Sequence, residues 1–284
     1  MNHCKMAFIA PLRYTLQTNK LYSNYHLLLA QEFLMLPQEL KQQALTFWKS
    51  CKQSGHYLIL DNGAYELGKA VDFDVFVHLA TELQPNEIIL PDVLQDGATT
   101  MQQAKFFYNT YASALRDMAL MAVVQVDSSQ PINMNDIETQ LHFYSNELPV
   151  SAIGIPKHFG HGRNFGRVDF TEQLHAFLCN HMTYKTAFAY HYLGLASLAE
   201  IVELPKYEWI RGFDSAAAFV FALQEALLED YIECPVDKQI KRPVTFFDHA
   251  LLKYGASRCY CTNIRYCCRQ LAIANTTTRY KDRG

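Results

Sequence analysis

The chain contains no run of about 18 apolar residues, so the sequence predicts no membrane-crossing helix. It also lacks an excess of positive charge. Its 25 lysines and arginines face 28 aspartates and glutamates, for a formal net charge of -3. Nucleic-acid binders often carry a basic balance, so any such binding here must use a local basic face rather than a global field. The first segment runs from Met1 through Lys5 and Met6 to Pro11, Leu12 and Arg13. It shows neither the apolar stretch nor the small-residue cleavage site of a secretory leader. There is no low-complexity segment and no linker. Cys4, Cys51, Cys179 and Cys234 are scattered, which speaks against a disulfide framework and for buried thiols. A reducing cytoplasm is the expected setting.

What is present is apolar mass in short pieces. Half of the 284 residues are hydrophobic, enough for a sizeable core, and the length is ordinary for one α/β barrel. Strands are expected at Met6–Ala10, Tyr57–Leu60, Glu87–Leu90, Leu120–Val124, Ala152–Ile155, Thr186–Tyr190 and Trp209–Gly212. Helical patterns alternate with them at Glu39–Cys51, Phe73–Leu83, Ala98–Met118, Asn135–Ser145, Phe170–Cys179, Leu198–Glu203 and Ala216–Glu229. Short apolar strands separated by helices predict a parallel sheet with crossover connections. A TIM-type (β/α)8 barrel fits better than an open sheet, because polar residues recur after each strand. The eighth unit is irregular, and Val244–Phe247 is the candidate for the missing strand. Residues 1–231 form the expected barrel and catalytic domain. Residues 232–284 form a segment that completes it without being independent. That segment is basic, with Lys238, Lys241, Arg242, Lys253, Arg258, Arg265, Arg269, Arg279, Lys281 and Arg283, and it can track a nucleic-acid backbone or simply be solvated. Its last stretch, Asn275–Gly284, is polar enough to be disordered.

The strand ends carry the chemistry. In order they read Asp61-Asn62-Gly63-Ala64-Tyr65, Pro91-Asp92, Gln125, Gly154-Ile155-Pro156-Lys157, His191-Tyr192-Leu193-Gly194 and Gly212-Phe213-Asp214-Ser215. In a barrel, these groups share one rim. Each also has a plainer reading. Asp61 can simply initiate a turn. Asp214 or Ser215 can cap the following helix. Asp92 stands too early to cap the helix near Ala98. Carboxylates gathered at such a rim can attack carbon, move protons or bind the polar edge of a ligand.

This ordered set, spanning roughly Tyr57 to Phe219, resembles the tRNA-guanine transglycosylase superfamily. It is most similar to the compact, phage-type 7-deazaguanine DNA transglycosylases of bacteriophage. The resemblance implies a barrel enzyme that replaces guanine in DNA by a 7-deazaguanine base such as preQ0 or preQ1; the alternative substrate is tRNA. It implies Asp214 as the nucleophile on C1′ and Asp61 as the group handling protons. Tyr65 would stack on the base, beside the Asn62-Gly63 turn. Asp92 would accept from the ring N–H and exocyclic amine, and Gln125 would meet the carbonyl edge. Gly154 would leave room for the 7-substituent or donate its N–H. The target nucleotide would have to leave its stack.

The chain departs from the family in places. The tRNA enzymes hold zinc with Cys-x-Cys-x-x-Cys and a downstream His. Here Cys259, Cys261, Cys267 and Cys268 have other spacings, and no His follows His249. No cofactor is therefore expected, and a rearranged zinc site from these residues is the alternative. Ala64 replaces the second glycine of a usual pair, and Pro156-Lys157-His158 replaces a glycine-rich turn. His158, His161 and Arg163 could meet phosphate or be solvated, and His191 reads more readily as a core or rim residue. Lys157 also opens a rival class, a barrel lyase using a Schiff-base lysine. A catalytically inert binding protein of the same fold is a third reading.

Overall fold

The structure is a computed structural model that describes residues 3–160, 166–231 and 242–281. His161, Arg163, Cys234, Lys238, Lys241 and Arg283 of the readings above lie outside the described residues. Eight strands form one sheet: β1 (Lys5–Phe8), β2 (Tyr25–Leu29), β3 (Tyr57–Asp61), β4 (Glu87–Ile89), β5 (Ala119–Val123), β6 (Ala152–Ile155), β7 (Ala189–Tyr192) and β8 (Ile210–Ser215). Every paired neighbour is parallel, in the order β1-β8-β7-β6-β5-β4-β3-β2. The two ends of that order, β1 and β2, lie against each other, so the sheet curls into a nearly closed (β/α)8 barrel.

The helices are α1 (Leu12–Thr18), α2 (Ala30–Met35), α3 (Gln38–Gln53), α4 (Ala64–Leu67), α5 (Phe73–Leu83), α6 (Gly97–Leu115), α7 (Met134–Glu147), α8 (Gly166–Asn180), α9 (Met182–Ala187), α10 (Glu200–Glu203), α11 (Ala217–Leu223) and α12 (Tyr254–Lys281). Two cores result. The outer one packs the helices on the outward faces of the strands, through residues such as Leu58, Leu60, Ile88, Ile153 and Phe213. The inner one fills the barrel with Ala7, Leu27, Leu29, Ile59, Ile89, Met121, Val123 and Ala152.

Strand periodicity of two sorts the residues. On β3, Tyr57 and Ile59 face inward and Leu58 and Leu60 outward, so Asp61 falls on the inner face at the strand's C-terminal end. Continuing the alternation beyond Met121 and Val123 brings Gln125 to the same side. At the opposite end the barrel floor is polar. Arg211 Nη2 donates to Glu87 Oε2 at 2.6 Å, the Tyr57 hydroxyl donates to the same oxygen at 3.2 Å, and Tyr57 stacks on Tyr25. Burial pushes the Tyr57 hydroxyl up to about 12, so it stays a donor.

Four sequence expectations change. The missing strand is β2, and Val244–Asp248 is instead a 3-10 turn that follows Pro243. The β2 run, Tyr-His-Leu-Leu-Leu, has no β-branched residue and continues directly into α2, so its local signal is helical. The strand expected at Thr186–Tyr190 begins later, at Ala189, because Thr186 lies in α9 and its hydroxyl bonds back to the Met182 carbonyl. The helix expected to reach Glu229 stops at Leu223, and Glu225 just beyond is left-handed at φ 55°. The C-terminal stretch is helical to Lys281. Asn275 pairs with both backbone groups of Cys4 at 3.2 Å, tying α12 to the chain just before β1.

The described residues 242–281 contribute to packing on the barrel. Tyr260, Ile264 and Cys267 enter the outer core, and buried Asn263 bonds the Ala218 and Ala226 carbonyls and the Leu228 N–H. No helix of the described residues is long and apolar enough to cross a membrane.

The floor ion pair is testable. Glu87→Ala strands the Arg211 charge inside the barrel and should cost about 3–5 kcal/mol in urea unfolding. Replacing both partners by methionine should recover most of that loss. An additive double mutant would show that the pair is not coupled.

Candidate active site

A cavity of about 500 Å³ opens at the C-terminal ends of the strands. Small-molecule sites typically span roughly 300–1,000 Å³. Asp61, Asp92, Gln125, Lys157, Tyr65 and Asp214 all line it. The three aspartates singled out from the sequence therefore share one space.

The turn and capping roles weighed for these aspartates are performed by neighbours. Asn62 Oδ1 accepts from the Ala64 N–H at 2.8 Å and makes the turn that Asp61 could have made. Asp96 accepts from the Thr99 N–H at 2.9 Å and caps α6, leaving Asp92 in the cavity. Ser215 Oγ accepts from the Ala217 N–H at 3.0 Å at the start of α11, leaving Asp214 free.

Asp92 is held on both oxygens. Asn62 Nδ2 donates to Oδ1 at 2.8 Å and Gln125 Nε2 donates to Oδ2 at 2.6 Å. Gln125 is itself fixed. Its Oε1 accepts from the Gln95 N–H, and its backbone exchanges two bonds with the Gln140 amide. Each Asp92 oxygen keeps a lone pair for a ligand N–H. Burial raises the Asp92 carboxyl above its usual range, and the Asn62 and Gln125 bonds oppose that rise.

Asp61 differs. Its carboxylate has no side-chain donor among the described residues. It lines the cavity and is only partly exposed there. Burial first, then the charges of Glu66, Asp92 and Asp214, raise its carboxyl well above the usual range. It therefore holds a proton under conditions in which an ordinary aspartate is ionised.

Asp214, 4% exposed, accepts from His191 at Oδ1 (3.0 Å) and from the Gly194 N–H at Oδ2 (3.1 Å). Gly194 adopts φ 61°, a left-handed conformation that suits glycine. The turn is clamped from behind by Arg167, which is fully buried. Its guanidinium donates to the carbonyls of Ile155 (3.1 Å), Leu193 (2.9 Å) and Gly194, and to both oxygens of Glu200. Burial lowers the proton affinity of His191, with Asp214 pulling the other way, so the ring facing Asp214 is neutral.

The remaining expected residues take other places. Tyr65, 59% exposed, stands at the cavity wall as an open aromatic face. Asn62 and Gly63 support the wall rather than line it; Gly63 has φ 79° and lies against buried Gln31. Gly154 does not line the cavity either. A Cβ there would meet Leu193 Cδ1 at 2.9 Å, so Leu193 already fills the space beside it. The room for a substituent expected at Gly154 is taken. Lys157 and His158 do line the cavity, and Arg242 enters its wall, bonded to Glu66 Oε1 at 2.9 Å and lying over Phe246 and Phe247.

Sequence reasoning missed Tyr25 and Arg167, named Arg242 only as part of a basic segment, and gave His191 a passive place. Only His191 carried a usable signal, two residues before a cavity leucine on an alternating strand. The residues weighed for zinc do not fit one ion. Cys259, Cys261, Cys267 and Cys268 sit on α12 at spacings that point around the helix, and Cys267 is buried with its thiol pushed up to about 12. No group of three or more His, Cys, Asp or Glu side chains able to hold a metal occurs among the described residues. No family model and no curated protein matches the chain.

The state of Asp61 has a thermodynamic signature. Its folded-state carboxyl binds a proton more tightly than the unfolded one, so it lowers stability as pH rises above the unfolded value. Asp61→Asn, which keeps an acceptor oxygen, should be more stable than the wild type at pH 7 to 8. The advantage should vanish below about pH 3, where both states are protonated. A thermal-unfolding series across pH showing a constant difference would contradict the assignment.

Proposed function

We propose that this protein exchanges a guanine-like base in nucleic acid for a 7-deazaguanine base through a covalent Asp214–nucleotide intermediate. The observation that carries the reading is the meeting of Asp61, Asp92 and Asp214 around one cavity with ample room for a purine.

The chemistry follows from their environments. Asp214 Oδ attacks C1′ of the nucleotide, and the glycosidic C1′–N bond breaks with its electron pair going to the departing base. Asp61, whose carboxyl is raised well above the usual aspartate range, supplies a proton to that base. The incoming base returns its ring proton to Asp61, attacks C1′ and releases Asp214. Atoms and charge balance without a further reactant, and the two half-reactions predict ping-pong kinetics. Asp92, braced by Asn62 and Gln125, recognises donors on the base, since each oxygen keeps one lone pair. A site built to satisfy ring N–H groups rejects bases lacking them. Tyr65 offers a stacking surface.

DNA is the proposed substrate, with tRNA as the alternative. Three aspartates meet in the cavity, which suits the N–H edge of a base rather than a phosphate, so the backbone has to be held outside it. Lys157 also lines the cavity, which keeps the lyase reading as the control arm of the test.

DNA and tRNA are incubated separately with labelled preQ0 and analysed as nucleosides. Incorporation into DNA is expected; incorporation only into tRNA shifts the substrate, and none into either rejects base exchange. Asp214→Ala should lower exchange by at least about 10⁴-fold, the scale seen when a nucleophile is removed, while keeping the wild-type circular dichroism. A substrate adduct trapped on Lys157 by borohydride would favour the lyase instead.

A further inference from the structure

The Asp214 carboxylate is gripped by a chain of groups that extends down the inside of the barrel. The Tyr25 hydroxyl lies 2.8 Å from His191 Nδ1, and His191 Nε2 lies 3.0 Å from Asp214 Oδ1. Tyr25 is 3% exposed and His191 0%. Tyr25 sits on β2, His191 on β7 and Asp214 on β8, so the chain crosses the barrel interior.

We propose that Tyr25 and His191 form a one-way hydrogen-bond relay whose task is to position Asp214 as a nucleophile. The kinetic part of this rests on the reading of Asp214 given above; the relay itself does not. The donors and acceptors admit one solution when Asp214 is ionised. Asp214 can only accept, so the proton of a neutral His191 stands on Nε2. Nδ1 is then an acceptor, and the Tyr25 hydroxyl must donate to it.

The charged and titratable groups around the relay are Asp214, Arg211, Glu87, Tyr57 and Lys5. Arg211 opposes a second proton on His191, and burial opposes it more. Burial likewise keeps the Tyr25 proton in place. A neutral donor suits a nucleophile. An imidazolium would neutralise the attacking charge, whereas a neutral N–H fixes the oxygen and leaves the charge available. With the Gly194 N–H on Oδ2, the plane of the carboxylate is set by two independent donors.

Two readouts test this. In nitrogen-15 NMR of the full chain labelled at histidine, His191 should be neutral with its proton on Nε2 at pH 7. Tyr25→Phe, which removes one oxygen and keeps the ring stacked on Tyr57, should leave the proton on Nε2 and move the Nδ1 resonance downfield, because that nitrogen loses its donor. In base exchange, Tyr25→Phe should lower kcat about tenfold, the worth of one hydrogen bond, with KM for the base unchanged. His191→Gln, which keeps an N–H donor, should retain more activity than His191→Phe. An imidazolium, a proton on Nδ1, or a rise in KM at constant kcat would overturn the proposal. So would a Tyr25→Phe variant identical to wild type in both readouts. A wild type that exchanges no base yet shows the Nε2–H tautomer, with the Nδ1 resonance moved downfield in Tyr25→Phe, would uphold the relay and reject only the base-exchange reading.

Discussion

Parallel strands closed into a ring bring their final inward-facing side chains to a single place, whatever the helices outside are doing. The protein depends on that constraint. β3, β5 and β8 contribute residues to the same rim, and the inner core below them seals it with Leu27, Ile59, Ile89 and Val123. Acids delivered to the top of such a plug are cut off from bulk water on their lower side. Their properties then depend on which neighbours supply hydrogen bonds. Among the described residues, Asp92 receives two side-chain donors and Asp61 none, although both are aspartates on adjacent strand ends. Unequal solvation by the protein thus gives two neighbouring carboxyls a different hold on a proton.

Much of the barrel was legible because the signal was local. Apolar runs of four or five residues, each followed by a polar residue, mark strands buried on both faces, and six of them gave the placement of the cavity residues. The strand that escaped detection, β2, is rich in leucine and adjoins a helix without a turn, so its conformation is imposed by pairing with β3 rather than by its own preference. Asp61, Asp92 and Asp214 could be found by position alone. Arg167 could not. It follows a glycine-rich stretch of sequence, and its partners are mostly backbone carbonyls on two other strands' ends, which no spacing reveals. Tyr25 was hidden with its strand. Gly154 shows the reverse error: a small residue reads as open space, yet Leu193 from the neighbouring strand end occupies it.

The electrostatic layout of the barrel interior runs from floor to rim. An ion pair, Arg211 with Glu87, sits at the bottom under two tyrosines. His191 lies above it, and the acids lie at the top. The guanidinium below discourages a second charge on the imidazole, and the imidazole in turn faces the carboxylate as a dipole rather than as an ion. A cation far from any ligand thereby influences the form in which the rim acid is presented. The overall charge of the chain, slightly negative, says little about this internal ordering.

Arg167 shows where the tolerance of this architecture is smallest. One guanidinium joins the carbonyls that end β6 and β7 to a glutamate at the head of α10. Lysine carries the same charge but, with a single nitrogen, cannot fork across three carbonyls and a carboxylate. The loop that presents the Gly194 amide would slacken, and the rim would lose its shape without losing a single group that touches a ligand. In this barrel the residue whose identity is least negotiable is therefore one that a survey of the cavity wall would pass over.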